Sequence, residues 1–298
     1  MHVTIATAPC SWGVWYQDGK PSGTPYETFL SQAAEAGYRA LELGPVGYLP
    51  TDPVLLKELM DRYGLYVCAG TACWPFERFQ SFEEYKPMID DLCTRLVRMG
   101  ARDMVVMDGT GLKNLDEPKA QWSRAHWKAY NEKIGRMREY AAGEYGVRTV
   151  FHPHVGTLIE YEDEIVRLLE DTQTDLCFDT GHHAYANGDW REGARRTIDF
   201  LLKYAEKIPY LHFKNVDGRV MRRVVEEHLD EDAAFDLDVM CDLPDGIIDF
   251  RELHAALERI GFDGIGVIEQ DMPRATTAQA FAAAKRNLAF LKEIGLID

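Results

Sequence analysis

The sequence predicts an α/β protein built as a (β/α)8 barrel, and three observations carry that prediction. Short apolar runs alternate with capped, helix-like segments along the chain, and the tally is eight strand–helix pairs. Four runs end abruptly in side chains that carry chemistry: Thr149-Val150-Phe151-His152-Pro153-His154, Leu176-Cys177-Phe178-Asp179-Thr180-Gly181-His182-His183, Tyr210-Leu211-His212-Phe213-Lys214 and Gly266-Val267-Ile268-Glu269-Gln270-Asp271. In a barrel of parallel strands all strand C-termini open on one face, so four such endings become one site. Third, a doubly wound sheet would want a Gly-rich first turn, and Ala8-Pro9-Cys10-Ser11 is not one.

Taken in order, Val3 to Ala8 reads as the first strand, followed by a loop carrying Trp12, Trp15 and Tyr16. Aromatics in a Gly/Pro-punctuated loop suit either a wall for a ligand or a hydrophobic plug at the barrel end. Pro25 to Ala36 reads as a helix with Thr24 as its N-cap and Gly37 after its end. Arg39 to Gly44 is a second strand, where alternation places Glu42 opposite Leu41 and Leu43, on the lumen side. Asp52 to Tyr63 is a helix stopped by Gly64. Leu65 to Ala69 is a strand leading into a loop, Gly70 to Phe76, that holds Trp74. The helix Phe82 to Met99 has Ser81 as its cap. Asp103 to Met107 is strand four, and Gln121 to Gly143 a long helix. The Gly-rich Asp108-Gly109-Thr110-Gly111 has no Lys-Ser/Thr pair and no dinucleotide spacing.

Val147 to Phe151, Asp175 to Phe178, Ile208 to Phe213 and Gly264 to Ile268 complete the strands. Helices are expected at Tyr161 to Asp171, Trp190 to Lys207, Asp249 to Ile260 and Thr276 to Ile294. Val216 to Ile248 breaks the rhythm as a long acidic connection. Its place after a barrel strand makes it a lid over the active face. No linker or composition shift divides the chain, so residues 1–298 read as one domain.

With 298 residues, 46% hydrophobic and 28% charged, the chain can bury a full core. A formal net charge of −16 argues against nucleic-acid or anionic-membrane partners. The six cysteines show no paired spacing, which fits reduced thiols. No leader opens the chain and no apolar run reaches about 18 residues, so a soluble, cytoplasmic protein is expected.

Asp179 is the first metal-ligand candidate, because a carboxylate buried at a strand end is costly without a partner and His182 follows three residues on. His212, inside Leu211-His212-Phe213, and Glu269, at the end of strand eight, extend the set. The fourth donor comes from strand five, where His152 and His154 are two apart and both can face the lumen. His152 is read as the ligand and His154 as the substrate contact, with the reverse as the alternative. An oxygen/nitrogen shell without thiolate suits Mn²⁺, Mg²⁺, Co²⁺ or Fe²⁺ as well as Zn²⁺.

These segments resemble the xylose isomerase-like TIM barrel superfamily of sugar isomerases, epimerases and endonuclease IV. Within it, Phe151-His152-Pro153-His154-Val155-Gly156-Thr157, Asp179-Thr180-Gly181-His182-His183-Ala184-Tyr185, Val267-Ile268-Glu269-Gln270-Asp271 and the first loop Ala8-Pro9…Ser11-Trp12-Gly13 are similar to the inosose dehydratase family of inositol catabolism. The resemblance spans the whole chain. It implies a metal set of Glu, Asp, His and Glu from strands five to eight, which falls here on His152, Asp179, His212 and Glu269. His152 stands where most relatives have Glu, so the shell's charge differs, and Glu160 is a nearby carboxylate that could replace it. The implied cofactor is a divalent ion, Mn²⁺ or Co²⁺ first.

A divalent ion binding a ketone and its neighbouring hydroxyl acidifies the adjacent C–H and stabilises the enediolate. Loss of a β-hydroxyl then gives dehydration, and return of the proton elsewhere gives isomerisation or epimerisation, so one site supports both classes. The expected reaction is dehydration of 2-keto-myo-inositol. The alternatives are a keto-sugar isomerase or epimerase, a 3-keto-glycoside β-eliminase, or a sugar-binding barrel without activity. His154 and His182 are assigned to proton transfer, Lys214 to the departing oxygen, and Glu42 to a base or an orienting role. Trp12, Trp15, Trp74, His183 and Arg219 are expected to touch substrate. The partner is thus a small polyol or keto-sugar, with room for a homo-oligomer.

Overall fold

The computed structural model describes residues 1–17, 20–112, 115–187 and 193–297. Eight parallel strands close into a barrel: β1 (His2–Thr7), β2 (Ala40–Glu42), β3 (Tyr66–Trp74), β4 (Asp103–Asp108), β5 (Arg148–Phe151), β6 (Asp175–Asp179), β7 (Tyr210–Phe213) and β8 (Asp263–Ile268). Neighbours pair in chain order, and β8 returns to β1 along the register His2↔Asp263 to Thr7↔Ile268. Helices α1 (Tyr26–Ala36), α2 (Pro53–Tyr63), α3 (Phe82–Arg98), α4 (Arg124–Tyr140), α5 (Glu162–Thr172), α6 (Thr180–Asn187) and α7 (Gly193–Lys203) follow the first six strands. After β7 come α8 (Gly218–Glu227), α9 (Glu231–Asp236) and α10 (Phe250–Ile260), and α11 (Thr277–Glu293) follows β8.

Strand alternation sorts two cores. The lumen is filled by small side chains around one large one: Ala6, Ala40, Cys68, Ala69, Val105, Val150, Cys177 and Val267 pack about Tyr210. Leu41, Leu43, Leu176, Phe178, Leu211 and Phe213 point outward into the layer between strands and helices. Glu42 therefore faces the lumen, as the alternation predicts, and is buried there.

Several local expectations are corrected. The expected loop from Gly70 is a continuation of β3, because β4 pairs with it as far as Trp74↔Asp108. Thr24 does not cap α1. Its hydroxyl pairs with Thr277 Oγ1 at 3.0 Å, and Pro25 takes the cap position. Ser81 precedes α3 without a capping hydrogen bond from its side chain. The expected start of the sixth helix, Trp190, lies outside the described residues. The connection after β7 is not a bare loop: it holds α8, α9 and a two-stranded ladder of Asn215–Val216 with Met240–Cys241. Both helices are capped by aspartates, Asp217 and Asp230, whose side chains accept from backbone N–H groups of the first turn. The first loop likewise contains a hairpin, Trp15–Gln17 with Lys20–Ser22. Among the described residues, all six cysteines are free and no helix is long and apolar enough to cross a membrane.

Candidate active site

The site follows from strand register. Asp179, the last residue of β6, lies directly opposite His212 of β7. The backbone N–H groups of His152 and Glu269 continue the ladders past β5 and β8, donating to Val106 O at 2.7 Å and to Phe213 O at 3.2 Å. These four residues end neighbouring strands on the same side, and one ligand atom from each falls within 4.8 Å of the others. All four are buried. His152, not His154, is the strand-five member of this group.

The four candidate ligand atoms are aimed at one another. His212 Nε2 donates to Glu42 Oε1 at 2.9 Å, which orients the ring with Nδ1 facing inward. That Nδ1 lies 2.8 Å from Glu269 Oε2 and 3.6 Å from Asp179 Oδ2 yet makes no hydrogen bond. His152 Nε2 stands 3.4 Å from Asp179 Oδ2, and its Nδ1 is buried without a partner. Two imidazoles and two carboxylates converging in this way fit a divalent cation with oxygen and nitrogen ligands. Glu42 also accepts from Tyr210 OH at 2.7 Å, so it orients His212 from below.

Lys214 brings the one ammonium into the cluster. Its Nζ lies 3.2 Å from Asp179 Oδ2, 2.9 Å from Glu269 Oε2 and 2.7 Å from Asp271 Oδ2. Burial alone would push the Asp179 carboxyl up, but Lys214 first, then His182, and His152 and His212 beside it, hold it well below the usual range. Burial opposes the charge on Lys214, and Asp179, Asp271 and Glu269 overcome it, holding the ammonium well above its ordinary range. Thr180 fastens the lysine backbone, accepting from Lys214 N at 3.1 Å and donating to Lys214 O at 2.7 Å. A Cβ on Gly181 would come within 2.6 Å of Lys214 Cγ, so glycine is required where α6 crosses the lysine stem.

The other histidines form the upper wall. His182 stands in the first turn of α6, its N–H donating to Asp179 Oδ1 at 2.8 Å. Its Nε2 is 3.0 Å from Lys214 Nζ and 3.3 Å from Asp271 Oδ2. The His154 ring packs against it, tilted by 41° with ring centroids 3.8 Å apart, and His154 Nδ1 donates to Val155 O at 2.7 Å, leaving Nε2 as an acceptor. Burial, then the neighbouring His182 and His152, keep His154 well below the usual imidazole range. Phe235 of α9 lies 6.4 Å from the His182 ring, so the connection after β7 reaches over the site.

Four other candidates are placed elsewhere. Trp12 is fully buried, its indole donating to Gln32 Oε1 at 2.9 Å and packing edge-on against Phe29, so it belongs to the core and not to a ligand wall. His183, one residue and about 100° further around α6 than His182, turns away to Thr197 Oγ1 (3.0 Å), Phe178 and Phe200. Arg219 is 93% exposed and folds back onto Asp217. Glu160 pairs with Lys119 at 3.7 Å and is absent from the metal-like grouping. Trp74 is buried beside Phe76, and Trp15 is half-buried at the start of the hairpin.

Three residues of the site carried no role in the sequence reading: Asp271, Cys10 and Tyr210. Cys10 Sγ donates to Glu269 Oε1 at 2.8 Å. Asp271 and Tyr210 each stand two residues from a candidate ligand, Glu269 and His212, and period-two spacing is the signal that could have found them.

Comparison with known proteins agrees with this architecture. A model of the xylose isomerase-like TIM barrel family matches residues 30–294. The rhizopine catabolism protein MocC of Rhizobium meliloti is 31% identical, over 91% of this chain and 82% of its own length. An inosose dehydratase of Bacillus velezensis is 29% identical, over 87% of this chain and 88% of its own. Among solved structures, the IOLI protein with a bound zinc atom superposes with a TM-score of 0.69 at 15% identity, covering 97% of this chain and 98% of that one. The probable 3-DHS dehydratase AsbF of Bacillus anthracis also reaches 0.69 at 15% identity, covering 95% and 98%; at such identities the likeness shows the fold alone. With the fold, the register and the family model in agreement, the chain belongs to the xylose isomerase-like TIM barrel family.

Proposed function

We propose that this protein is a metal-dependent hydro-lyase that dehydrates a keto-inositol, 2-keto-myo-inositol in the first instance. The observation that carries the reading is the convergence of His152, Asp179, His212 and Glu269 within 4.8 Å beside a buried ammonium and two further imidazoles. Relatives named inosose dehydratase support the substrate class. A divalent ion held by those four residues would polarise a ketone and favour the enediolate formed next to it.

The remaining steps fall to the protein's own groups. His154 presents an unprotonated Nε2 and is the base candidate for the proton next to the carbonyl. The electron pair of that C–H bond forms the new C=C bond as the β C–O bond breaks. Lys214 supplies the proton that lets hydroxide leave as water, and His182, 3.0 Å from it, can return one. Glu42 orients His212 and does not reach the substrate side. A soluble cytoplasmic setting and a small polyol or keto-sugar partner belong to the same proposal.

The test is NMR of products from 2-keto-myo-inositol with metal-stripped and Mn²⁺-restored protein. A dehydrated diketone formed only with metal is the expected result. An epimerised or isomerised ketose would move the protein to the isomerase reading, and no turnover of any keto-polyol would leave a binding barrel.

A further inference from the structure

We propose that Lys214 is an internal counter-ion of Asp179 and Glu269, and that Asp271 is the carboxylate onto which it withdraws when a divalent ion takes those two. The inference rests on the metal set of the proposed function and not on its substrate.

The Lys214 ammonium touches three carboxylates, and only two of them, Asp179 and Glu269, belong to the four-residue metal set. Two cations cannot share one pair of buried carboxylate oxygens without strong repulsion in a low-dielectric site. The lysine also cannot leave for solvent. Its side chain is 1% exposed, its backbone is tied to Thr180, and its stem is wedged against Gly181. A pivot of the ammonium inside the cavity is the remaining motion. Asp271 Oδ2 is already its shortest contact, at 2.7 Å, and His182 Nε2 lies 3.0 Å away on the same side. Asp271 is therefore a positioning residue: it keeps a proton donor beside the metal set without letting that donor occupy the set.

The experiment titrates metal-stripped protein with Mn²⁺ by calorimetry, in wild type, Lys214→Met, Asp271→Asn and the double variant. Removing the internal cation should tighten Mn²⁺ binding on the order of tenfold or more, since charged groups in contact couple. Asp271→Asn should weaken binding by a similar factor, because the ammonium then has only the ligand carboxylates to hold. In the Lys214→Met background the Asp271→Asn effect should largely vanish, and Asp271→Glu should restore wild-type affinity. Lys214→Gln repeats the comparison if Lys214→Met does not fold.

Unchanged or weaker binding by Lys214→Met would overturn the proposal. So would an Asp271→Asn loss that persists undiminished in the double variant, or two ions bound per chain, which would make Asp271 a ligand. Wild type that binds no divalent ion ends this inference and the proposed function together. Metal binding without dehydration ends only the latter.

Discussion

An ammonium buried among carboxylates holds its proton tightly, so Lys214 gives it up only to a strong base, and departing hydroxide is one. Elimination should depend on this group more than proton abstraction does. Lys214→Met is expected to retain metal and to exchange the substrate's α-proton with deuterated solvent. Dehydrated product should fall on the order of 10²–10⁴-fold, the usual worth of one positioned proton donor. Equal loss of exchange and of product would return Lys214 to enolisation or binding. At this scale the sequence was informative where a polar residue interrupts or ends an apolar strand: Glu42 is buried on the lumen face, where alternation put it, and Asp179, His212 and Glu269 are buried too. It was uninformative for Trp12 and His183, because residue type cannot tell a side chain facing a ligand from one with a partner in the packing.

Helix α6 is the element the sequence hid. It is eight residues long, contains a glycine and two adjacent histidines, and begins directly at the strand end. Tertiary contacts decide it, with Asp179 capping its N-terminus and Lys214 crossing under Gly181. Its outer face rests on α5 and α7 through His183, Glu162 and Arg196. The His183 imidazole first, and Arg196 as well, hold the Glu162 carboxyl down to about 2. A depressed carboxylate stabilises the fold above its unfolded value near 4.5, and that contribution is lost as pH falls towards 2. Glu162→Gln should therefore lower stability by roughly 1 kcal/mol or less at pH 7, given its solvent contact. The gap to wild type in urea midpoint should close below pH 4.5, and a gap that widens on acidification would contradict the assignment.

The connection after β7 is also an element-scale feature. Phe235 stands over His182, and Arg274 bridges to Asp236 at 2.5 Å. Residues 216–248 should gain protection from hydrogen exchange when metal and a substrate analogue bind. Equal exchange in free and bound protein would argue against closure. The length and acidity of this segment were legible. Its two helices were masked by a charged, poorly apolar composition that only docking on the barrel makes foldable.

For the molecule as a whole, an ion that binds the proposed metal set in the folded chain and not in the unfolded one should stabilise the fold. Mn²⁺ at a hundred times its dissociation constant adds about 2.7 kcal/mol. At about 2–4 °C per kcal/mol that is a rise of roughly 5–10 °C in melting temperature. Asp179→Ala and Glu269→Ala should stay folded, lose most of the bound metal and most of the shift, and a chelator should erase the shift in wild type. Full occupancy and a full shift in both variants would remove them from the ligand set.

The sequence by itself determined the barrel and which face carries the chemistry, because both depend on local periodicity: eight alternations of two repeat lengths, and polar endings on consecutive strands. The tertiary structure alone decided which polar groups meet. His152 rather than His154 joins the four-residue group, Glu160 stays with Lys119, and Asp271 enters beside Lys214. The reason is that register and helix rotation are set by packing between elements. A residue's own neighbours in the chain specify its strand face, but not the side chains it meets from the next strand.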